Sequence, residues 1–327
     1  MRSTGFFSRS RAQCRGLALL LAVCAPASAS AESLRVAKAA QQEFAFAVLD
    51  VGLRQGFFAK QGLEIEGGME FGGSPQLQQA MAAGSVDIGL GSGTDLAYEM
   101  KGAPVKAVAA MAGPPLGLVI AVKADGPIKT IADLKGKSIG VSGTASLTAW
   151  LTRELSRQQG WGTSGISVDY TGSVSARWAA LTVNQIDGTA VGVGSALQAE
   201  QRGLARIALN FGDYVKAFHV HAIFATNNLI ESKPEAIRAF LRGWLDTIAF
   251  MRANKSETVK IVQESMRVDA EIASSTYDIT MPELSPDGRF DAAAVAILAR
   301  SFVELKILPT EPDMSSLYTE AFLPARK

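Results

Sequence analysis

From residue 34 to residue 226 two hydrophobic patterns alternate along the chain. Short apolar runs, four to eight residues long and rich in Val, Ile and Leu, read as strands; between them apolar residues recur at helical spacing. The first block predicts strands at 34–39, 63–66, 86–90 and 116–122, an apolar run at 105–112, and helices at 44–55, 75–83 and 95–101. Ser74 is placed to cap the second of these helices, and Gly84 to stop it. The cluster Lys123-Ala124-Asp125-Gly126-Pro127 then reads as a turn, and the pattern restarts. Strands are predicted at 137–141, 166–170, 189–193, 206–209 and 219–226, with helices at 146–159, 174–185 and 196–201. From Pro234 to Phe322 the spacing is helical, broken near Asn254, Pro282-Glu283 and Pro309.

Such alternation argues for α/β layers with largely parallel sheets. Two similar blocks and a helical tail predict two lobes. Residues 32–122 form the first part of lobe one, 123–221 form lobe two, and 222–327 return to lobe one as a strand and a packed helical tail. Two crossings make a two-stranded hinge, which permits closure on a ligand held between the lobes.

Composition narrows this further. The 327 residues are 48% hydrophobic and 19% charged, an ordinary globular balance with room for two cores. A net charge of +1 gives no reason to expect nucleic acid as a partner. Arg2, Arg9, Arg11 and Arg15 precede the apolar run 17–25, and Ala29-Ser30-Ala31 supplies a small-x-small site, so residues 1–31 read as a cleavable secretory signal. The rival readings are a buried helix or a retained anchor, although the run is shorter than the ~20 residues a bilayer needs. Removing the signal takes away both cysteines, Cys14 and Cys24, together with four arginines and no acid, and turns the net charge to −3. Lipidation at Cys24 is a minor alternative, since Val23 is bulky for the position before it.

Four stretches carry a resemblance: GLRQGFFAKQGLEI at 52–65, GSPQLQQAMAAGSVDIG at 73–89, IKTIADLKGKSIGVSG at 128–143 and LTVNQID at 181–187. In order and spacing the chain resembles the nitrate/sulfonate/taurine group of ABC-transporter substrate-binding proteins. The resemblance implies the two-lobed type 2 periplasmic binding fold. It also implies a small-molecule ligand, an inner-membrane ABC permease as partner, a monomer, a periplasmic location and no cofactor. The chain departs from the family at 191–195, where Val-Gly-Val-Gly-Ser stands in place of a Trp and a Pro and removes an expected aromatic wall.

Loops of small residues open several helices at the carboxyl ends of strands, where open α/β sheets bind ligands and where free N–H groups suit an anion. The expected binding residues on these loops are Gly73 and Ser74, then Ser92, Gly93 and Thr94, then Ser142, Thr144, Ala145 and Ser146, then Ser173, and Gly192 and Gly194. Taken singly, each is as well explained by helix capping. After the first strand, Gln41 and Gln42 offer donors, and Phe44 or Phe46 an apolar wall. Arg177 could fork onto a carboxylate or sulfonate, or be a solvated surface residue. Trp150 and Trp178 fit either core or cleft.

Catalytic signals are sparse. His219 and His221 alternate on one face of the inferred return strand; two ligands fall short of a metal site, and a structural pair is the competing reading. GLGSGTD lacks the Lys-Ser/Thr of a phosphate-binding loop, and no GxSxG or HExxH occurs. The expectation is therefore the extracytoplasmic binding component of an ABC importer, and not an enzyme. Its solute would be a small anionic or polar organic compound of sulfonate, taurine-like or aromatic-acid type. The alternatives are a binder of a thiamine-pyrimidine precursor, a periplasmic sensor, or an enzyme on the same fold.

Overall fold

A computed structural model describes residues 31–40, 43–143 and 145–326. The predicted signal thus lies almost wholly outside the described residues, as do Gln41, Gln42 and Thr144. Among the described residues no helix is long and apolar enough to cross a membrane.

Among the described residues ten strands form two five-stranded sheets. They are β1 (Glu32–Lys38), β2 (Leu63–Glu70), β3 (Ile88–Ser92), β4 (Val105–Ala112), β5 (Leu118–Lys123), β6 (Ser138–Val141), β7 (Ser167–Tyr170), β8 (Gly188–Gly192), β9 (Ala205–Asn210) and β10 (His221–Thr226). Sheet one has the order β2-β1-β3-β10-β4 and sheet two the order β7-β6-β8-β5-β9. The strands β3, β4, β5, β8 and β10 are almost wholly buried, which is why they read as unbroken apolar runs.

Both sheets are mixed. β1 runs parallel to β2 and β3, and β6 parallel to β7 and β8. β10 is antiparallel to β3 and β4, and β5 to β8 and β9, because each of these strands enters its sheet directly after a crossing. β5 therefore belongs to sheet two. The first crossing falls at residues 113–117, earlier than the boundary at 122 that the turn cluster suggested. Apolar character marks a buried strand but not which sheet it joins. The second crossing occupies residues 211–220, close to expectation.

The tail is less confined than expected. Helices Pro234–Ala253 and Lys255–Met266 pack on the helices of lobe one, but Ala270–Thr280 packs on Val193–Gln201 of lobe two. Trp150 of lobe two donates its indole N–H to Glu304 of the tail at 2.6 Å. Residues 283–285 are fastened to the first crossing. Gly113 N–H donates to the Glu283 carbonyl at 2.7 Å, Ser285 N–H to the Met111 carbonyl at 3.0 Å, and Gly117 N–H to the Glu283 carboxylate at 2.9 Å. A third segment thus runs beside the two crossings.

Three local expectations shift. Helix Ser74–Ala82 is capped by Gly73, at φ 155°, and Ser74 is its first residue. Helix Val193–Gln201 starts earlier than predicted, so Gly194 sits inside it and Gly192 caps it. The tail has a further break at Arg267, which takes a left-handed conformation at φ 54°. Elsewhere the predicted caps form: Ser146 accepts from Ala149 N–H and Ser173 from Ala176 N–H.

Candidate functional site

A cleft of about 650 Å³ opens between the two sheets. Its lining comes from the segments that leave the carboxyl ends of β1, β2, β3, β6, β7 and β8, the position at which open α/β folds bind ligands. Lobe one contributes Ala39, Ala40, Glu43, Phe46, residues 72–76, Ser92, Thr94, Asp95 and His221. Lobe two contributes Ser142, Gly143, residues 145–148, Tyr170, Gly172, Ser173, Arg177 and Gly192.

Of the expected residues, Gly73, Ser74, Ser92, Thr94, Ser142, Ala145, Ser146, Ser173, Arg177 and Gly192 line this cleft. Gly93, Gly194 and Phe44 are not among its lining. A Cβ on Gly93 would lie 1.8 Å from the His219 carbonyl oxygen, so this glycine serves close packing of the β3 turn on the second crossing. Gly194 faces Met266 and Thr276. Phe44 is buried edge-on against Tyr277, with ring centroids 6.0 Å apart, while Phe46, two residues on, reaches the cleft. Trp150 is core and stacks on Phe218; Trp178 donates to the Ser195 hydroxyl at 2.9 Å and packs in lobe two.

Arg177 is not a solvated residue. It is 5% exposed, and its Nε and Nη1 have no hydrogen-bond partner among the described residues. Burial lowers its pKa to about 10, and the acid that faces it, Glu43, opposes that shift. An unsatisfied buried guanidinium is costly, so its place in a cleft points to an anion that completes its bonds. The helices around it, Leu147–Gln158 and Val174–Thr182, present their N-termini and their Ser146 and Ser173 caps to the same space.

Glu43 is the lining residue with the largest consequence that sequence reading passed over, since it lies between the two glutamines and the phenylalanine that drew attention. It lies against the small-residue stretch at 191–195: a Cβ on Gly192 would lie 3.3 Å from its Oε1. Part of its surface opens onto the cleft, yet the protein crowding its carboxyl raises its pKa to about 7, against the pull of Arg177. Asp95 is likewise pushed up to about 7 by burial. Its carboxylate accepts from Ser92 N–H at 2.9 Å and fixes the turn that presents Ser92 and Thr94. Behind the floor, a small space is shared by Glu43 and Glu283. Burial, and then repulsion from Glu43, raise Glu283 to about 8.

The two histidines part company. His221 opens β10, lines the cleft and lies against Phe46 with centroids 4.8 Å apart; burial lowers its pKa to about 4. His219 lies in the crossing and accepts from Asp291 N–H at 2.9 Å, on the far side beside Phe290. Among the described residues no group of three potential ligands is placed to hold a metal.

Comparison with known proteins bears on the fold and the family. A putative aliphatic sulfonates-binding protein of Escherichia coli K12 is 26% identical over 248 residues, 75% of this chain and 76% of that protein. The alkanesulfonate-binding protein of Xanthomonas axonopodis pv. citri, solved with MOPS, superposes with a TM-score of 0.74 at 19% identity, covering 89% of this chain and 99% of that one. A desulfurization enzyme in complex with biphenyl-2-sulfinic acid also superposes, with a TM-score of 0.66 at 14% identity, covering 89% and 97%. These likenesses show the two-lobed periplasmic binding fold. The sequence model of the NMT1/THI5-like family matches residues 43–258, from the cleft floor into the tail, and the chain belongs to that family.

Proposed function

We propose that this protein is the solute-capturing component of an importer. It takes a small organic anion of the sulfonate class between its lobes, in the periplasm, and delivers it to an inner-membrane permease. The observation that carries this reading is Arg177, buried and short of partners, facing a cleft large enough for an organic sulfonate. The sulfonate ligands named for the relatives support the class. They favour it over a thiamine-pyrimidine precursor. Binding without turnover is supported by the chemistry of the lining: residues 25–327 contain no cysteine, and the cleft's histidine is held neutral by burial. The likeness to a desulfurization enzyme makes chemical conversion the reading to test against.

The test is thermal melting of protein that has been unfolded and refolded to strip carried solute, with a panel of alkane- and arylsulfonates. At least one is expected to raise Tm by several degrees, as binding to the native state alone requires. No shift with any of them would overturn the sulfonate reading. A changed ligand mass after incubation would replace binding by catalysis.

A further inference from the structure

We propose that an anion seated on Arg177 enters the cleft together with one proton, and that Glu43 carries it. This rests on the anion-capture reading above.

The argument is one of charge count in a confined space. Glu43 comes from the segment after β1 in lobe one, and Arg177 from helix Val174–Thr182 in lobe two; both line the same cleft. The carboxyl of Glu43 reaches across to Gly192 of lobe two, close enough that a Cβ there would lie 3.3 Å from its Oε1. Arg177 leaves Nε and Nη1 unpartnered among the described residues, so it neutralises Glu43 through space and not as a closed ion pair. Behind Glu43 stands a second buried carboxyl, Glu283, held by Gly117 N–H. Glu283 gives Glu43 an acid for a neighbour, and Arg177 is the cation that acts on Glu43.

The other charged and titratable groups do not relieve this. Asp95, which lines the cleft from the same lobe as Glu43, is an acid as well. His221 is uncharged at neutral pH because burial holds its pKa near 4. Tyr98 and Lys101 also line the cleft, and Lys101 is exposed to solvent. An arriving anion takes up the positive charge that kept Glu43 ionised and adds a negative charge of its own. Glu43 then holds its proton to a higher pH than in the empty cleft. The sign follows: bound protein carries more protons than free protein, so affinity falls as pH rises through the free-state pKa of Glu43, about 7.

Isothermal titration with ethanesulfonate and benzenesulfonate, in buffers of different ionisation enthalpy, tests this directly. Uptake is expected to be close to one proton at about pH 8 and near zero at about pH 5.5, with Kd rising up to about tenfold per pH unit above neutrality. Glu43→Gln is expected to abolish the uptake and flatten Kd against pH; Glu43→Ala serves the same purpose if the glutamine variant does not fold. Binding with no proton uptake, or with proton release, overturns the proposal and leaves anion capture standing. Uptake that persists in both variants overturns the assignment to Glu43. Failure of both sulfonates to bind removes the proposal together with the reading on which it rests.

Discussion

At the scale of single residues, the cleft is defined by groups held in states that water would not favour. Arg177 keeps its charge with its bonds unmade, and a ligand gains what the protein forgoes. Replacing it with Gln is expected to weaken sulfonate binding by ~2–3 kcal/mol, about a hundredfold, the range for a lost charge-assisted bond. The same substitution removes a buried cation whose Nε and Nη1 have no hydrogen-bond partner among the described residues, so Tm of the ligand-free protein is expected to hold or rise. Calorimetric titration and melting of the variant check the two halves separately. A drop in Tm with unchanged Kd would make Arg177 structural. The sequence points to Arg177 but favours a solvated place for it, because burial of an arginine depends on what folds over it. Glu43 was illegible for a related reason. An acid after a strand has many ordinary uses, and only the contact with Gly192, distant in sequence, sets it on the cleft floor.

At the scale of elements, the turn after β3 shows how tightly the lining is built. Gly93 N–H donates to the Val220 carbonyl at 2.9 Å, and its α-carbon lies against the His219 carbonyl. Gly93→Ala places a methyl group 1.8 Å from backbone oxygen that cannot swing aside. A loss of at least about 2 kcal/mol in denaturant unfolding is expected, as for overpacked sites. The strands and most helices were readable because their apolar runs and Ser caps are local signals. Ser146 and Ser173 cap as their positions imply, and ten of the expected cleft residues line the cleft because the loops follow from strand ends. Sheet membership was not local: nothing in the composition of β5 tells that it pairs with β8 and β9. The shift of Gly194 into a helix is similar, since a glycine between apolar residues reads as a loop until tertiary packing against Met266 and Thr276 holds it in the first turn.

At the scale of the whole molecule, the buried acids tie stability to pH. Glu43, Asp95 and Glu283 have native pKa values of about 7, 7 and 8, above the ordinary carboxylate range. A carboxyl raised on folding binds its proton more tightly in the native state. Its contribution is complete below the unfolded pKa and is lost as pH climbs through the native value. His221 acts on the other flank, because its lowered pKa of about 4 costs stability as pH falls below the ordinary imidazole value. Tm of the ligand-free protein is expected to be highest on the mildly acidic side and to decline toward about pH 8. Glu283→Gln keeps an acceptor for Gly117 N–H without the charge, and its Tm is expected to decline less over that interval. A wild-type Tm that rises from about pH 6 to pH 8 would contradict this account.

The strand order of sheet one also bears on time. β10 lies between β3 and β4, yet more than a hundred residues separate it from β4 in the chain. Until residue 226 is in place, β3 and β4 each have an unpaired edge where their neighbour belongs, while every strand of sheet two is already available by residue 210. Sheet two draws only on one continuous stretch, residues 118–210, and sheet one must wait for it. The order in which the chain is made therefore sets an order in which strands become available, with the sheet of the lobe that carries Arg177 able to pair fully before the sheet of the lobe that carries Glu43.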